Sequence, residues 1–307
     1  VTDLAAIAAR VSNWGRWGPD DQRGTLNLID DAARARGLAA VQRGAVFSLT
    51  IPFDADGPQL GNIPGRNNPE LTRSSVNAAW SGDPSHAAWS DDHLDMGVQA
   101  ATHWDTLAHC GYDGLLYNGT PNAVVTMEEG ATRMGAETLG PIVSRGVVLD
   151  VVRALGLDDR LPPAYEITAA DLDAALALTG IEPEPGDIAL IRTGQMAVWR
   201  EKGRNPYSQK SPGPGVDTIG WFADHQWGAA AADNLPFEPV DVATSDWSFP
   251  VQRVLLRDVG LLLGQLWDLD ALADDCAEHD HRTCLVVANP LPLTHGIGAP
   301  VAPVAIT

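Results

Sequence analysis

Four polar side chains stand close together in the segment from Gly97 to Asp113: Gln99, His103, Asp105 and His109. Imidazole nitrogen and carboxylate oxygen are good ligands for divalent transition metals, and both can carry protons in acid–base chemistry. His103 and Asp105 are two residues apart, so an extended backbone sends both to one side. A turn after Asp105 can then return His109 to the same place. A His-x-Asp pair alone also fits a structural hydrogen bond. Four such groups set among Ala, Thr and Gly, directly after a long irregular stretch, point instead to a site.

Elements that could position this segment are legible on both sides of it. Asp3 to Val11 reads as a helix. Asp30 can cap a helix over residues 31–43, with Gly44 as its stop. Residues 45–53 (AVFSLTIPF) read as a strand. Residues 54–92 are rich in Gly, Pro, Asn, Ser and Asp and lack strong periodicity, which predicts a long functional loop or lid. Residues 145–151 read as a buried strand. Thr168 starts a helix to Leu178, with Asp171 as capping-box partner and Gly180 just past the end. Residues 188–192 are a further apolar strand, and 201–216 form a second Gly- and Pro-rich loop. A helix over 216–227 precedes the apolar run Ala229 to Ala232. Strands over 260–266 and 284–288 enclose a helix over 269–278. Strands interleaved with helices predict an α/β fold, and no linker divides the chain, so residues 1–307 read as one domain with an N-terminal arm over 1–44.

Composition narrows the function. The 307 residues carry 20 Lys and Arg against 40 Asp and Glu, a formal net charge of −20. Nucleic acid and anionic membrane surfaces both require a basic face, so neither is an expected partner. A small-molecule substrate is. No apolar run approaches the length of a membrane span, and the first residues lack the pattern of a secretory signal. Cys110, Cys276 and Cys284 are scattered and odd in number, which predicts a reducing, cytoplasmic setting. No Gly-x-Ser-x-Gly elbow or phosphate-binding loop is present, which argues against a serine hydrolase or a nucleotide enzyme.

The central segment, read as Gln99-Ala-Ala-Thr102-His103-Trp-Asp105-Thr-Leu-Ala-His109, resembles the signature of the cyclase family, which includes bacterial kynurenine formamidase and isatin hydrolase. That signature runs His-x-Gly-Thr-His-x-Asp-x-Pro-x-His. Further likeness lies in residues 13–29 (NWGRWGPDDQRGTLNLI), 186–194 (GDIALIRTG), 249–256 (FPVQRVLL) and 264–266 (GQL). The resemblance implies a swivelling β/β/α form of the α/β fold in a single compact domain. It implies metal ligation by His103 and Asp105 and a proton-shuttle role for His109. It also implies homo-oligomers, dimers or larger, in which N-terminal residues help close a neighbour's site.

The sequence departs from the family at three positions. Gln99 replaces the first His, Gln252 a C-terminal His, and Gln265 a Glu. An amide oxygen binds metal more weakly than imidazole or carboxylate. The expectation is therefore one divalent metal, Mn or Zn, held by His103, Asp105, Gln99, Gln252 and Gln265, or no metal at all, and not a two-metal centre. Trp14, Trp17, Trp104 and Arg192 are candidates to line a substrate pocket. Trp247, His86 and His93 are further candidates near the site. The leading function is hydrolysis of a small, cyclic or aromatic amide or lactam. The alternatives are a polyketide-type cyclase or dehydratase that uses acid–base groups without metal, and a small-molecule-binding protein without catalysis.

Overall fold

The computed structural model describes residues 3–61 and 63–307. Its centre is a nine-stranded sheet. In spatial order the strands are Val46–Ser48, Val304–Ile306, Thr283–Val287, Val143–Asp150, Ile188–Arg192, Ala229–Ala232, Leu262–Gln265, His103–Asp105 and Gly298–Pro300. The four from Val143–Asp150 to Leu262–Gln265 are parallel to one another, and every other pairing is antiparallel.

The parallel strands are apolar on both faces because both faces are covered. Along Ile188–Arg192, Ala189 and Ile191 pack into one core cluster, while Ile188 and Leu190 pack into the other. The first cluster joins the sheet to the helices Ala169–Ala177, Thr218–Asp224 and Pro250–Val254. The second holds Trp104 edge-on to Trp267, ring centroids 4.8 Å apart. The small residues of Ala229–Ala232 and Gly264 make room for this pair. A Cβ on Gly264 would lie 2.7 Å from the Trp267 ring and 2.9 Å from the Trp104 ring. Gly264 thus lets Trp104 anchor the short strand that carries His103 and Asp105.

Local signals predict most of the elements. Thr168 and Asp171 form the expected capping box at the start of Ala169–Ala177. Asp3 and Asp30 cap their helices through their side chains. Several boundaries differ from the expectations, including the helix expected over 216–227, which spans Thr218–Asp224. The second helix ends at Ala39 rather than 43, because the backbone N–H groups of Arg43 and Gly44 donate to the carbonyl of Thr307. The strand expected over 45–53 is ordered as sheet only over Val46–Ser48; beyond it Leu49 reaches Pro303, and Ile51 bonds to the Thr102 hydroxyl. The stretch 201–216 contains a helix, Arg204–Gln209.

The long stretch 54–92 is only partly a loop. Its second half forms an antiparallel hairpin, Glu70–Ala79 with Ala88–Asp95, whose side chains are mostly exposed. His86 and His93 lie on this exposed hairpin and not at the site; His86 contacts the Ser81 hydroxyl. Among the described residues no helix is long and apolar enough to cross a membrane.

Candidate active site

His103 and Asp105 occupy the ends of a three-residue strand held between two neighbours. In the register with Leu262–Gln265, His103 faces Gln265 and Asp105 faces Leu263. Their side chains share one side, as the spacing requires, and Trp104 points the other way into the core. A turn then closes from Thr106, whose carbonyl accepts from His109 N at 2.9 Å. It brings the His109 Nε2 to 3.6 Å from Asp105 Oδ1, and His103 Nε2 lies 3.4 Å from the same oxygen. His103 and Asp105 are fully buried, while His109 keeps 20% of its side chain exposed.

The three glutamines do gather around this pair, but their amide nitrogens do much of the contacting. Gln252 Nε2 donates to Asp105 Oδ2 at 3.0 Å, and Gln265 Nε2 donates to the same atom at 2.5 Å. Gln99 Nε2 lies 3.4 Å from His109 Nδ1. One carboxylate oxygen is thus taken up by two amides. The other, Asp105 Oδ1, is buried without a hydrogen-bond partner, and so is Gln265 Oε1. His103 Nδ1 lies 2.7 Å from the Ala101 carbonyl, which can only accept, so this nitrogen carries a proton, and Nε2 faces Asp105. That outer hydrogen bond is the usual support of a ligating histidine.

These unsatisfied atoms test the implied metal. His103 Nε2, Asp105 Oδ1 and Gln265 Oε1 fit a single divalent ion of modest affinity. Among the described residues no three His, Cys, Asp or Glu side chains form a ligand cluster, so such an ion would depend on an amide oxygen. A second ion finds no second carboxylate. Gln99 and Gln252, expected as oxygen ligands, instead present nitrogen to His109 and Asp105.

Charge states follow from the surroundings. Burial pushes the Asp105 carboxyl up, but the fields of His109, His103 and Arg66 outweigh it and hold it at about 2. Burial lowers the His109 pKa, and the pull of Asp105 only partly offsets this, so the ring is neutral at neutral pH and free to accept a proton. The neighbouring Cys110 is raised to about 11, by burial first and then by Asp105 and Glu238. A thiol so held is protonated and a poor nucleophile.

The site opens into a cleft of about 360 Å³. His109, Gln252 and Gln265 line it together with apolar residues that include Leu60, Trp247 and Phe249. Trp247 and Phe249 both have left-handed backbones, φ 58° and 43°, a costly state for bulky residues that clusters at functional sites. The substrate-pocket candidates Trp14, Trp17, Trp104 and Arg192 are absent from this wall, each for a structural reason. Trp14 donates to the Arg257 carbonyl at 2.7 Å and docks the N-terminal arm on its own chain. Trp17 lies under the Arg16 guanidinium. Trp104 is wholly buried against Trp267. Arg192 is buried between Asp150 and Asp270, at 3.2 and 2.7 Å. The wall also holds Gln59 and Arg66, which no local sequence signal marked.

Glu238 positions one of the glutamines. Its carboxylate accepts from the backbone N–H groups of Val251 and Gln252 at the start of the helix Pro250–Val254. Burial nevertheless pushes it up to about 7, and burial together with Asp270 does the same to Asp233. An acid whose pKa is raised by folding lends stability below its unfolded pKa and loses it as pH rises through the folded value. The protein is therefore expected to lose stability between about pH 4 and pH 7, by up to roughly 3–4 kcal/mol per group. Glu238→Gln should flatten part of this slope in denaturant titrations across that range. Equal slopes in the two proteins would contradict the assignment.

The sequence profile of the family described as Putative cyclase matches residues 47–239. A crystal structure described as a novel cyclase is 36% identical, covering 98% of this chain and 99% of its own, with a TM-score of 0.89. Isatin hydrolase A from Ralstonia solanacearum is 20% identical over 89% of this chain and 95% of its own, TM-score 0.63. An isatin hydrolase bound to the product analogue thioisatinate is 19% identical over 91% and 99%, also at 0.63. At that identity the two hydrolases share the fold. No curated protein sequence matches the chain.

Proposed function

Because the chain belongs to the cyclase family, we propose that it is a hydrolase that opens the carbon–nitrogen bond of a small, cyclic or aromatic amide or lactam. The observation that carries this reading is the placement of His109, in the wall of a largely apolar cleft, 3.6 Å from the buried Asp105 carboxylate. The cleft volume suits a ligand of one or two rings. The likeness in fold to isatin hydrolases supplies the substrate class to test first.

Each residue has a definable task. His109 takes a proton from the attacking water and returns it to the leaving nitrogen. Asp105, 3.6 Å from the ring, stabilises the imidazolium between those events. Gln252 and Gln265 clamp the carboxylate and fix its rotamer. Trp247 and Phe249 pack on the ring of the substrate and exclude water. His103, Asp105 and Gln265 would hold a divalent ion, Mn or Zn, and such an ion would supply Lewis acidity toward the carbonyl.

The metal-free cyclase or dehydratase remains the second reading, favoured by one observation: half of the Asp105 carboxylate is occupied by amide donors where a metal-rich site would keep it open. We also propose that the chain forms homo-oligomers. The exposed apolar side chains Leu71, Val76, Trp80, Trp89 and Leu94 on the projecting hairpin support this.

A panel of aryl amides and lactams, assayed by acid release with and without added Mn²⁺ or Zn²⁺, tests the function. Turnover of at least one lactam, raised by metal, is expected. No turnover of any member under either condition would overturn the hydrolase reading.

A further inference from the structure

We propose that a second cavity, separated from the cleft by the helix Arg204–Gln209, binds a small apolar molecule that carries one carboxylate, and that this ligand acts on the cleft through their shared wall. The site is independent of the reaction in the cleft. The cavity is a groove of about 500 Å³ lined by apolar side chains that include Leu157, Leu161, Pro163 and Val198. Its charged lining residues are Arg160, Lys202 and Lys210, with no Asp or Glu among the described residues. These include both lysines of a chain that has twice as many acidic as basic residues. Arg160 is already held by Asp159 and Glu201, at 3.2 and 2.8 Å, and Lys210 by Asp241 at 2.7 Å. Lys202 has no carboxylate within ion-pair distance among the described residues. The groove thus presents apolar surface and one unpaired positive charge, which selects an apolar monoanion.

The groove is preformed. Gly194 has φ 74°, and a Cβ there would overlap the Asp159 carbonyl and lie 2.6 Å from Arg160 Cα. Only glycine lets the segment that carries Leu157, Arg160 and Leu161 seat against the start of the helix Gln195–Lys202. Leu161 N donates to the Thr193 carbonyl at 2.9 Å and fixes the same junction. Gln195 lines the groove while only 2% exposed, and its Nε2 donates to the carbonyls of Tyr207 and Lys210 at 2.9 and 3.1 Å. That amide ties the helix carrying Val198 and Lys202 to the segment carrying Pro206 and Lys210.

The same segment walls the cleft. Pro206 and Gln209, three residues apart on the helix Arg204–Gln209, line the groove, whereas Ser208 lines the cleft. Ser208 Oγ donates to the Pro58 carbonyl at 2.7 Å, and Arg204 donates to the Ala55 carbonyl at 3.3 Å, so the helix holds the loop on the cleft side. Lys210–Ser211 then pairs with Val240–Asp241, and Val240 and Val242 line the cleft. A ligand that orders this helix from the groove orders the loop that the helix holds on its other side.

Calorimetric titration with octanoate and with the uncharged octanamide tests the site. Octanoate should bind about three- to fivefold more tightly than octanamide, the scale of an exposed charge pair. Lys202→Gln should abolish that preference, and Lys202→Arg should keep it. Leu157 is 37% exposed, so Leu157→Asp should leave the fold intact and abolish octanoate binding. Equal binding of the two probes to the unmodified protein would overturn the proposal, whether or not the variants fold. So would an unchanged preference in Lys202→Gln, or unchanged octanoate binding in Leu157→Asp. Hydrogen exchange reads the coupling without any need for turnover. Octanoate should slow backbone exchange over 195–211 and over 54–60, and should slow neither in Leu157→Asp. Slowing confined to 58–66 and 235–252 would place the probe in the cleft and overturn the second site; slowing confined to 195–211 would overturn its action on the cleft.

Discussion

Replacing His109 with alanine is expected to lower turnover by about 10²–10⁴-fold, the usual cost of losing a positioned general acid–base. His109 is the one site imidazole that both reaches the cleft and stays partly exposed; His103 is sealed beneath it. Its contacts are few, with Asp105 at 3.6 Å and Gln99 at 3.4 Å, so its removal should leave the fold in place. The loss should fall on kcat more than on KM, because the ring moves protons and is not proposed to hold the substrate. Metal content should be unchanged, since the proposed ligands are His103, Asp105 and Gln265. The check is steady-state kinetics on the best member of the lactam panel, with metal analysis and a thermal melt on the same sample. Near-normal kcat would show that the proton passes elsewhere. A parallel loss of bound metal would place His109 among the ligands.

Asp105→Asn is expected to have a larger effect, because Asp105 is the centre of the network. It receives the amides of Gln252 and Gln265 on one oxygen and faces both imidazoles with the other. The asparagine keeps the shape and removes the charge. Without that charge nothing offsets an imidazolium or a divalent ion, so activity should fall by about 10³-fold or more and bound metal should be lost. Stability changes in a defined direction. A carboxyl held at about 2 when folded contributes stability above its unfolded pKa and loses it as pH falls toward the folded value. The unmodified protein should therefore lose stability relative to the variant as pH falls from about 4 to about 2. Urea titrations at neutral and acid pH read this directly. A variant that keeps its metal and its activity would show that Asp105 is only a structural acceptor.

The parts of the site that the sequence made legible are those set by local geometry. The two-residue spacing of His103 and Asp105 needs only an extended strand to become a shared face, and the structure supplies one. The turn that returns His109 needs only the four residues that follow Asp105. Helix caps at Asp3, Asp30 and Thr168 are local in the same sense. The glutamines were legible as neighbours through the family resemblance, but not in their orientation. Whether an amide turns its oxygen or its nitrogen to the site depends on Asp105, which lies 147 residues from Gln252 and 160 from Gln265.

Aromatic residues misled for a related reason. Trp14, Trp17 and Trp104 have the side chains of a pocket wall, yet a ring packs equally well against a core or a docked arm, and only tertiary contacts decide. Trp247 was within reach, because it precedes the recognisable segment 249–256. Arg66 was not. It lies in the stretch 54–92, where no periodicity gives a face, and its place is fixed by side-chain bonds from Gln59 and Asn68 to groups up to 41 residues away. The hairpin in that stretch escaped notice because both of its faces are exposed, so its strands lack the apolar alternation that marks a half-buried sheet.

The most direct test of the central claim is a product mass measured after reaction in heavy-oxygen water. The protein is incubated with the lactam panel, and the products are analysed by mass spectrometry beside an Asp105→Asn control. Hydrolysis at this site predicts a product that has gained one molecule of water, with a single heavy oxygen in its new carboxylate, and no such product from the control. A product that has instead lost water, or a labelled product formed equally by the control, would contradict it.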